Sequence, residues 1–139
     1  MNCRVSVLAA AVLMVAGIGL ISCGASANPD IGRVLTGISV TPQAADAQNS
    51  PNGQVVFTAT GTFSLPPTPA PVSFVSPYTG QFFVDNSGNV IANVVTTGSG
   101  TVTVQCAAGA TGTVAIVASA SANNGTTTVV SGSAQLTCP

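Results

Sequence analysis

Thr113-Val114-Ala115-Ile116-Val117-Ala118-Ser119-Ala120 sets aliphatic side chains at every second position. Successive side chains of an extended chain point to opposite faces, so Val114, Ile116, Ala118 and Ala120 would share one face that needs a core to cover it. The same period of two recurs on both sides of this stretch. Ile38 and Val40 alternate with Ser39 and Thr41, Val55, Phe57 and Ala59 with Val56, Thr58 and Thr60, and Ala134, Leu136 and Cys138 share a face near the end. Further runs at 72–75, 81–84, 90–95 and 101–106, with a last one over 127–137, bring the total to about eight candidate strands and no helix in the body of the chain. The run 90–95 is apolar on both faces and leaves its own register open.

Turn chemistry falls between these runs. Asn52-Gly53, Asn86-Ser87-Gly88-Asn89, Gly98-Ser99-Gly100 and Asn123-Asn124-Gly125 all contain residues that tolerate positive φ. Short strands punctuated in this way predict an all-β sandwich. Leu65-Pro66-Pro67-Thr68-Pro69-Ala70-Pro71 cannot supply regular ladder hydrogen bonds and is expected to cross between strands as a stiff loop, with recognition by a proline-binding domain as the other reading.

Composition narrows the functions. Hydrophobic residues make up 46% of the 139, enough for a folded core, whereas charged residues make up only 4%. Every ion can be named: Arg4 and Arg33, against Asp30, Asp46 and Asp85, with no Lys, Glu or His. Neutralising a run of phosphates takes several basic side chains, so no nucleic-acid partner is expected. The solvated faces must be built from Thr, Ser, Asn and Gln.

The N-terminus has a different grammar. Met1-Asn2-Cys3-Arg4 gives a short positive start, Val5 to Ile21 is apolar or small throughout, and Ser22-Cys23-Gly24 follows. These are the n- and h-regions of a signal peptide, with a retained anchor helix as the alternative. Leu20-Ile21-Ser22-Cys23 resembles the bacterial lipobox. That resemblance implies cleavage between Ser22 and Cys23, a diacylglyceryl group on the Cys23 thiol, and a mature protein held to a membrane by two or three acyl chains. Gly24 after the cysteine, by the same resemblance, implies the outer membrane. The expected organisation is a lipoprotein signal peptide at 1–22, a flexible tether at 23–33 rich in small residues, and one folded domain at 34–139.

Within that domain, Leu35-Thr36-Gly37-Ile38-Ser39-Val40-Thr41-Pro42 and Val55-Val56-Phe57-Thr58-Ala59-Thr60-Gly61 resemble the opening of bacterial immunoglobulin-like domains of the group-2 type. Val84-Asp85-Asn86-Ser87-Gly88-Asn89-Val90 and Gly112-Thr113-Val114-Ala115-Ile116-Val117-Ala118 are similar to that family's Asp-x-x-Gly turn and one of its later strands. The resemblance covers roughly residues 34–138 and implies an immunoglobulin-like sandwich of seven to eight strands. The core Trp common in the family is absent, and Phe74 is expected in its place.

With Cys3 leaving in the signal and Cys23 committed to lipid, Cys106 and Cys138 remain as an even pair in an oxidising compartment, which predicts one disulfide. A metal or redox role would need a Cys-x-x-Cys spacing, His or nearby acids, none of which this pair has.

Catalysis has little to work with. A Ser or Thr nucleophile needs a base, and the chain offers no His, Lys or Glu. Asp30, Asp46 and Asp85 lie in predicted tether and loops, and the Asp85 segment reads as a hairpin turn with Asx hydrogen bonding, since a calcium loop would carry more acids. The expectation is a protein that is not an enzyme and has no catalytic residues, cofactor or metal. Its role would be structural, adhesive or protein-binding outside the cytoplasm, with a carbohydrate-binding module as the alternative. Tyr78, the single tyrosine, is the residue that could stack on a sugar.

Overall fold

A computed structural model describes residues 32–139. Expectations for the signal peptide, for Ser22 and Cys23, and for most of the tether lie outside the described residues. Nine strands form among the described residues: β1 Leu35–Thr41, β2 Ala44–Asp46, β3 Gln54–Phe63, β4 Ala70–Pro71, β5 Gly80–Asp85, β6 Ala92–Gly98, β7 Thr101–Cys106, β8 Gly112–Ser121 and β9 Val129–Cys138.

Alternation places the long strands β3, β8 and β9 as the sequence predicts. Val55, Phe57, Ala59, Gly61 and Phe63 of β3 are buried, and so are Val114, Ile116, Ala118 and Ala120 of β8 and Ala134, Leu136 and Cys138 of β9. These faces belong to two sheets. One runs β1-β3-β7-β6 with β4 added on β3, and the other runs β2-β9-β8-β5. Their inner faces meet in one cluster that includes Leu35, Val40, Phe57, Val102 and Val104 from the first sheet and Ile116, Ala118 and Leu136 from the second. The result is an all-β sandwich. Asn52, Gly53, Ser87, Gly88, Gly100 and Gly125 all adopt positive φ, which places the turns in the predicted segments.

One flank of the sandwich is shut. After Thr41 the chain leaves the first sheet, and three residues, Ala44–Asp46, pair in parallel with Gln135–Thr137 of β9 in the second. This short strand has no apolar periodicity long enough to be read from sequence. Across the same flank the backbones of β1 and β9 come so close that a Cβ on Gly132 would lie 2.1 Å from the carbonyl oxygen of Ile38. Only glycine permits that approach.

Four expectations are corrected. The run 72–75 is not a strand: after β4 the chain leaves the first sheet to begin β5 on the second, and 72–79 is that crossing. Phe74 accordingly has φ of 55° and is only half-buried, so it does not fill the place of a core Trp; Phe57 is the largest fully buried side chain. The run 90–95 forms a strand only from Ala92, extends to Gly98, and bulges between Val94 and Thr96. Finally, the Asp85–Asn89 segment is not a hairpin turn but a link between sheets. Its Asx chemistry is real, with the Asn86 Oδ1 accepting from the backbone N–H groups of Ile91 and Ala92 and its Nδ2 donating to the Ala92 carbonyl.

Candidate functional site

Cys106 ends β7 in one sheet and Cys138 ends β9 in the other, and the two are joined in a disulfide with Cα atoms 5.8 Å apart. The predicted pairing is therefore present. It clamps the two sheets together at one pole of the sandwich.

At the opposite pole the domain is closed by an arginine that the sequence assigned to the tether. Arg33 is buried, its guanidinium carbon lies 3.6 Å from the centre of the Phe63 ring, and its Nε donates to the Leu65 carbonyl at 3.1 Å. A second guanidinium nitrogen donates to the Pro67 carbonyl. Prolines lack N–H groups but keep carbonyls, so a proline-rich loop offers acceptors that suit the donor fork of an arginine. The stiff Leu65–Pro71 loop folds back on β3 and is held there by this side chain and by the Phe63 N–H, which donates to the Thr68 hydroxyl. Folding thus begins one residue earlier than the composition shift suggests, at the buried cation rather than at Val34.

Tyr78 belongs to the same cluster. Its ring meets Phe63 edge-on with centroids 5.1 Å apart, and its hydroxyl donates to the Arg33 carbonyl at 3.1 Å. Being buried, it presents no face to a sugar. Loss of a desolvated cation–π contact and of two hydrogen bonds to a charged donor is expected to make Arg33→Ala about 2 kcal/mol less stable in urea denaturation. Arg33→Lys should recover only part of this, because an ammonium cannot keep both the stacked plane and the fork.

A concavity that could receive a ligand lies, among the described residues, on the flank opposite β1 and β2. It is an open cleft of about 530 Å³ between Gly80–Phe82 of β5, the 97–101 turn joining β6 and β7, and the Ser73–Val75 crossing. That size falls in the range of small-molecule sites. Phe74 and Phe82 meet edge-on at 5.2 Å, and the hydroxyls of Ser73, Ser99 and Thr101 and the amide of Gln81 complete the lining. No ionisable side chain lines the cleft among the described residues. Phe74 sits there with a positive φ, a costly conformation for a bulky residue and one that concentrates where a site imposes it. None of these residues was assigned to a binding site from sequence, where Phe74 was expected in the core, since three segments distant in the chain form the cleft. The positive φ of Phe74 leaves no mark in the sequence.

Asp85, the acid in the segment compared with a calcium loop, accepts a hydrogen bond from Ser87 at 3.4 Å, and Asp46 caps a single turn through the Gln48 N–H. Among the described residues no three His, Cys, Asp or Glu side chains gather where they could hold a metal. In comparisons with known proteins, no family model, no curated protein and no solved structure matches this chain.

Proposed function

We propose that this protein is a lipid-anchored, extracytoplasmic immunoglobulin-like module that acts as a structural or adhesive element and binds through its surface without catalysis. The strand order carries the fold half of this reading. The sequence β1-β3-β7-β6 facing β9-β8-β5 follows the A-B-E-D and G-F-C sheets of constant-type immunoglobulin domains, with β2 as the part of strand A that switches sheets. The disulfide departs from the antibody pattern, since it joins the ends of the strands equivalent to E and G instead of B and F. Fold alone does not assign a function, so the adhesive role rests on the nearly uncharged Thr- and Ser-rich faces and on the proposed anchor at Cys23.

Cys23 lies nine residues before Gly32, where the described domain starts. Even fully extended, those residues reach about 30 Å, so acyl chains on Cys23 would keep the domain close to the bilayer. Mass spectrometry of the protein recovered from bacterial membranes is the test. The expected mature N-terminus is Cys23 carrying a diacylglyceryl group, and Cys23→Ser should abolish lipid labelling and leave the leader uncleaved. An unmodified Cys23, or a mature chain that still begins at Met1, would overturn the reading.

A carbohydrate-binding module is the second reading, and the cleft favours it: hydroxyls, an amide and two phenylalanine rings with no ion suit a neutral sugar. Glycan-array binding that disappears in Phe74→Ala would establish it; an array without signal would remove it. Tyr78→Ala is the wrong variant for this purpose, because it would disrupt the buried cluster around Arg33.

A further inference from the structure

The two open sheets end in four strands, β1 and β6 in one and β2 and β5 in the other, beside the two-residue β4 that ends in Pro71 on β3. Unpaired strand edges invite association, and folded proteins blunt them. Three of the four are blunted among the described residues. β1 lies tight against β9, with the Ile38 carbonyl facing Gly132. β2 is only three residues long and follows directly on Pro42-Gln43. β6 is bulged between Val94 and Thr96, and the Asn86 amide takes both the N–H and the carbonyl of Ala92, as a neighbouring strand would.

β5 carries no such device. Ser121 donates its N–H to the Thr79 carbonyl, which makes Thr79 and Ser121 a hydrogen-bonded pair of the ladder with β8. Antiparallel ladders alternate, so Gln81, Phe83 and Asp85 also turn their backbone groups toward β8. Gly80, Phe82 and Val84 therefore turn theirs outward, along the rim of the uncharged cleft. Next to them Phe83 stands 41% exposed on the outer face of the sheet.

We propose that β5 is a homodimerisation edge, at which two copies of this chain pair their β5 strands antiparallel about a two-fold axis through Phe82. This register is self-complementary. It sets Phe82 opposite Phe82 and Gly80 opposite Val84, so all three outward-facing residues of each copy find partners, and each Phe83 covers the Gln81 of the other copy. The strand's one charge does not oppose it: Asp85 falls opposite Thr79, and the two carboxylates stand roughly 20 Å apart along the strands at about 3.4 Å per residue. Because the cleft lining holds no ion, closing the edge buries none. A six-residue edge gives a small interface of the weak, concentration-dependent class. The pairing joins two four-stranded sheets into one continuous sheet of eight and has closed symmetry, so it stops at two copies.

The test is cross-linking in the full chain, expressed with its own leader in a bacterial host. Gln81 and Phe83 of opposite copies form a non-hydrogen-bonded pair, whose Cα atoms lie close enough for a disulfide. The double variant Gln81→Cys with Phe83→Cys is expected to run as a reducible dimer on non-reducing gels. Either single variant alone should stay monomeric, and co-expressed single variants should give the mixed dimer. Adding Val84→Pro, which removes an outward N–H but no bond to β8, should abolish the cross-link, while Val94→Pro on β6 should leave it intact. Sedimentation of the unmodified protein should show mass rising toward the dimer with concentration. A double-cysteine chain that stays monomeric, cross-linking that survives Val84→Pro, or equal cross-linking by the single variants would each overturn the proposal. With the unaltered chain run alongside to reveal any cross-linking through Cys3 or Cys23, these outcomes do not depend on whether Cys23 is lipidated or the cleft binds sugar.

Discussion

Replacing Phe57 by Ala is expected to lower the unfolding free energy by about 3 to 5 kcal/mol, the range for deleting a buried phenylalanine. Phe57 is fully buried at the centre of β3, opposite Val102 of β7, in a chain with five Phe, one Tyr and no Trp. The rest of the interior is mostly Val and Ala. A Val side chain has one stiff rotor and Ala has none, so neither can swing into the void, and the cavity stays open instead of collapsing. Against a total stability of about 5 to 15 kcal/mol this brings the domain near its threshold. Urea titration should show a lower midpoint at an unchanged slope. Phe57→Leu, which keeps most of the volume, should cost under about 1.5 kcal/mol. A Phe57→Ala loss that small would mean the core repacks around the gap.

The second large effect is the disulfide. Cys106→Ala with Cys138→Ala removes a cross-link between residues 32 apart in sequence, and a loop of that length confers about 3.7 kcal/mol on the chain-entropy account. The double variant avoids leaving a reactive thiol at the sheet boundary. The effect should exceed what lost contacts alone would give, because the bridge joins the two sheets at the pole opposite the Arg33 cluster. Denaturation with and without reductant gives the same comparison on the unaltered chain. A difference under about 1 kcal/mol would show that the open loop is already constrained in the unfolded state.

Several features were legible in the sequence for clear physical reasons. Alternation with a period of two specifies which side chains face inward, and β3, β8 and β9 carry it over ten residues each without interruption. Positive-φ residues specify turns, so Asn52-Gly53 and Gly125 could be placed from chemistry alone. Cysteine arithmetic could name Cys106 and Cys138 because the lipobox resemblance set Cys3 and Cys23 aside. Where alternation failed, so did the reading. Val90–Val95 is apolar on both faces, and the bulge that resolves it forms only against β7.

The sequence by itself thus determined the class of fold, the inward faces of its long strands, its single bridge in the described domain and the scarcity of charge on its surface. Only the tertiary structure decided which strands stand at the edges, that Arg33 belongs to the core of one pole, that Tyr78 is buried, and that Phe74 and Phe82 meet in a cleft. The physical reason is range. Alternation and turn preferences act between neighbours in the chain, whereas an edge or a cleft exists through what is packed beside it. The segments 73–75, 80–82 and 97–101 carry no mark of their meeting until both sheets are assembled around them.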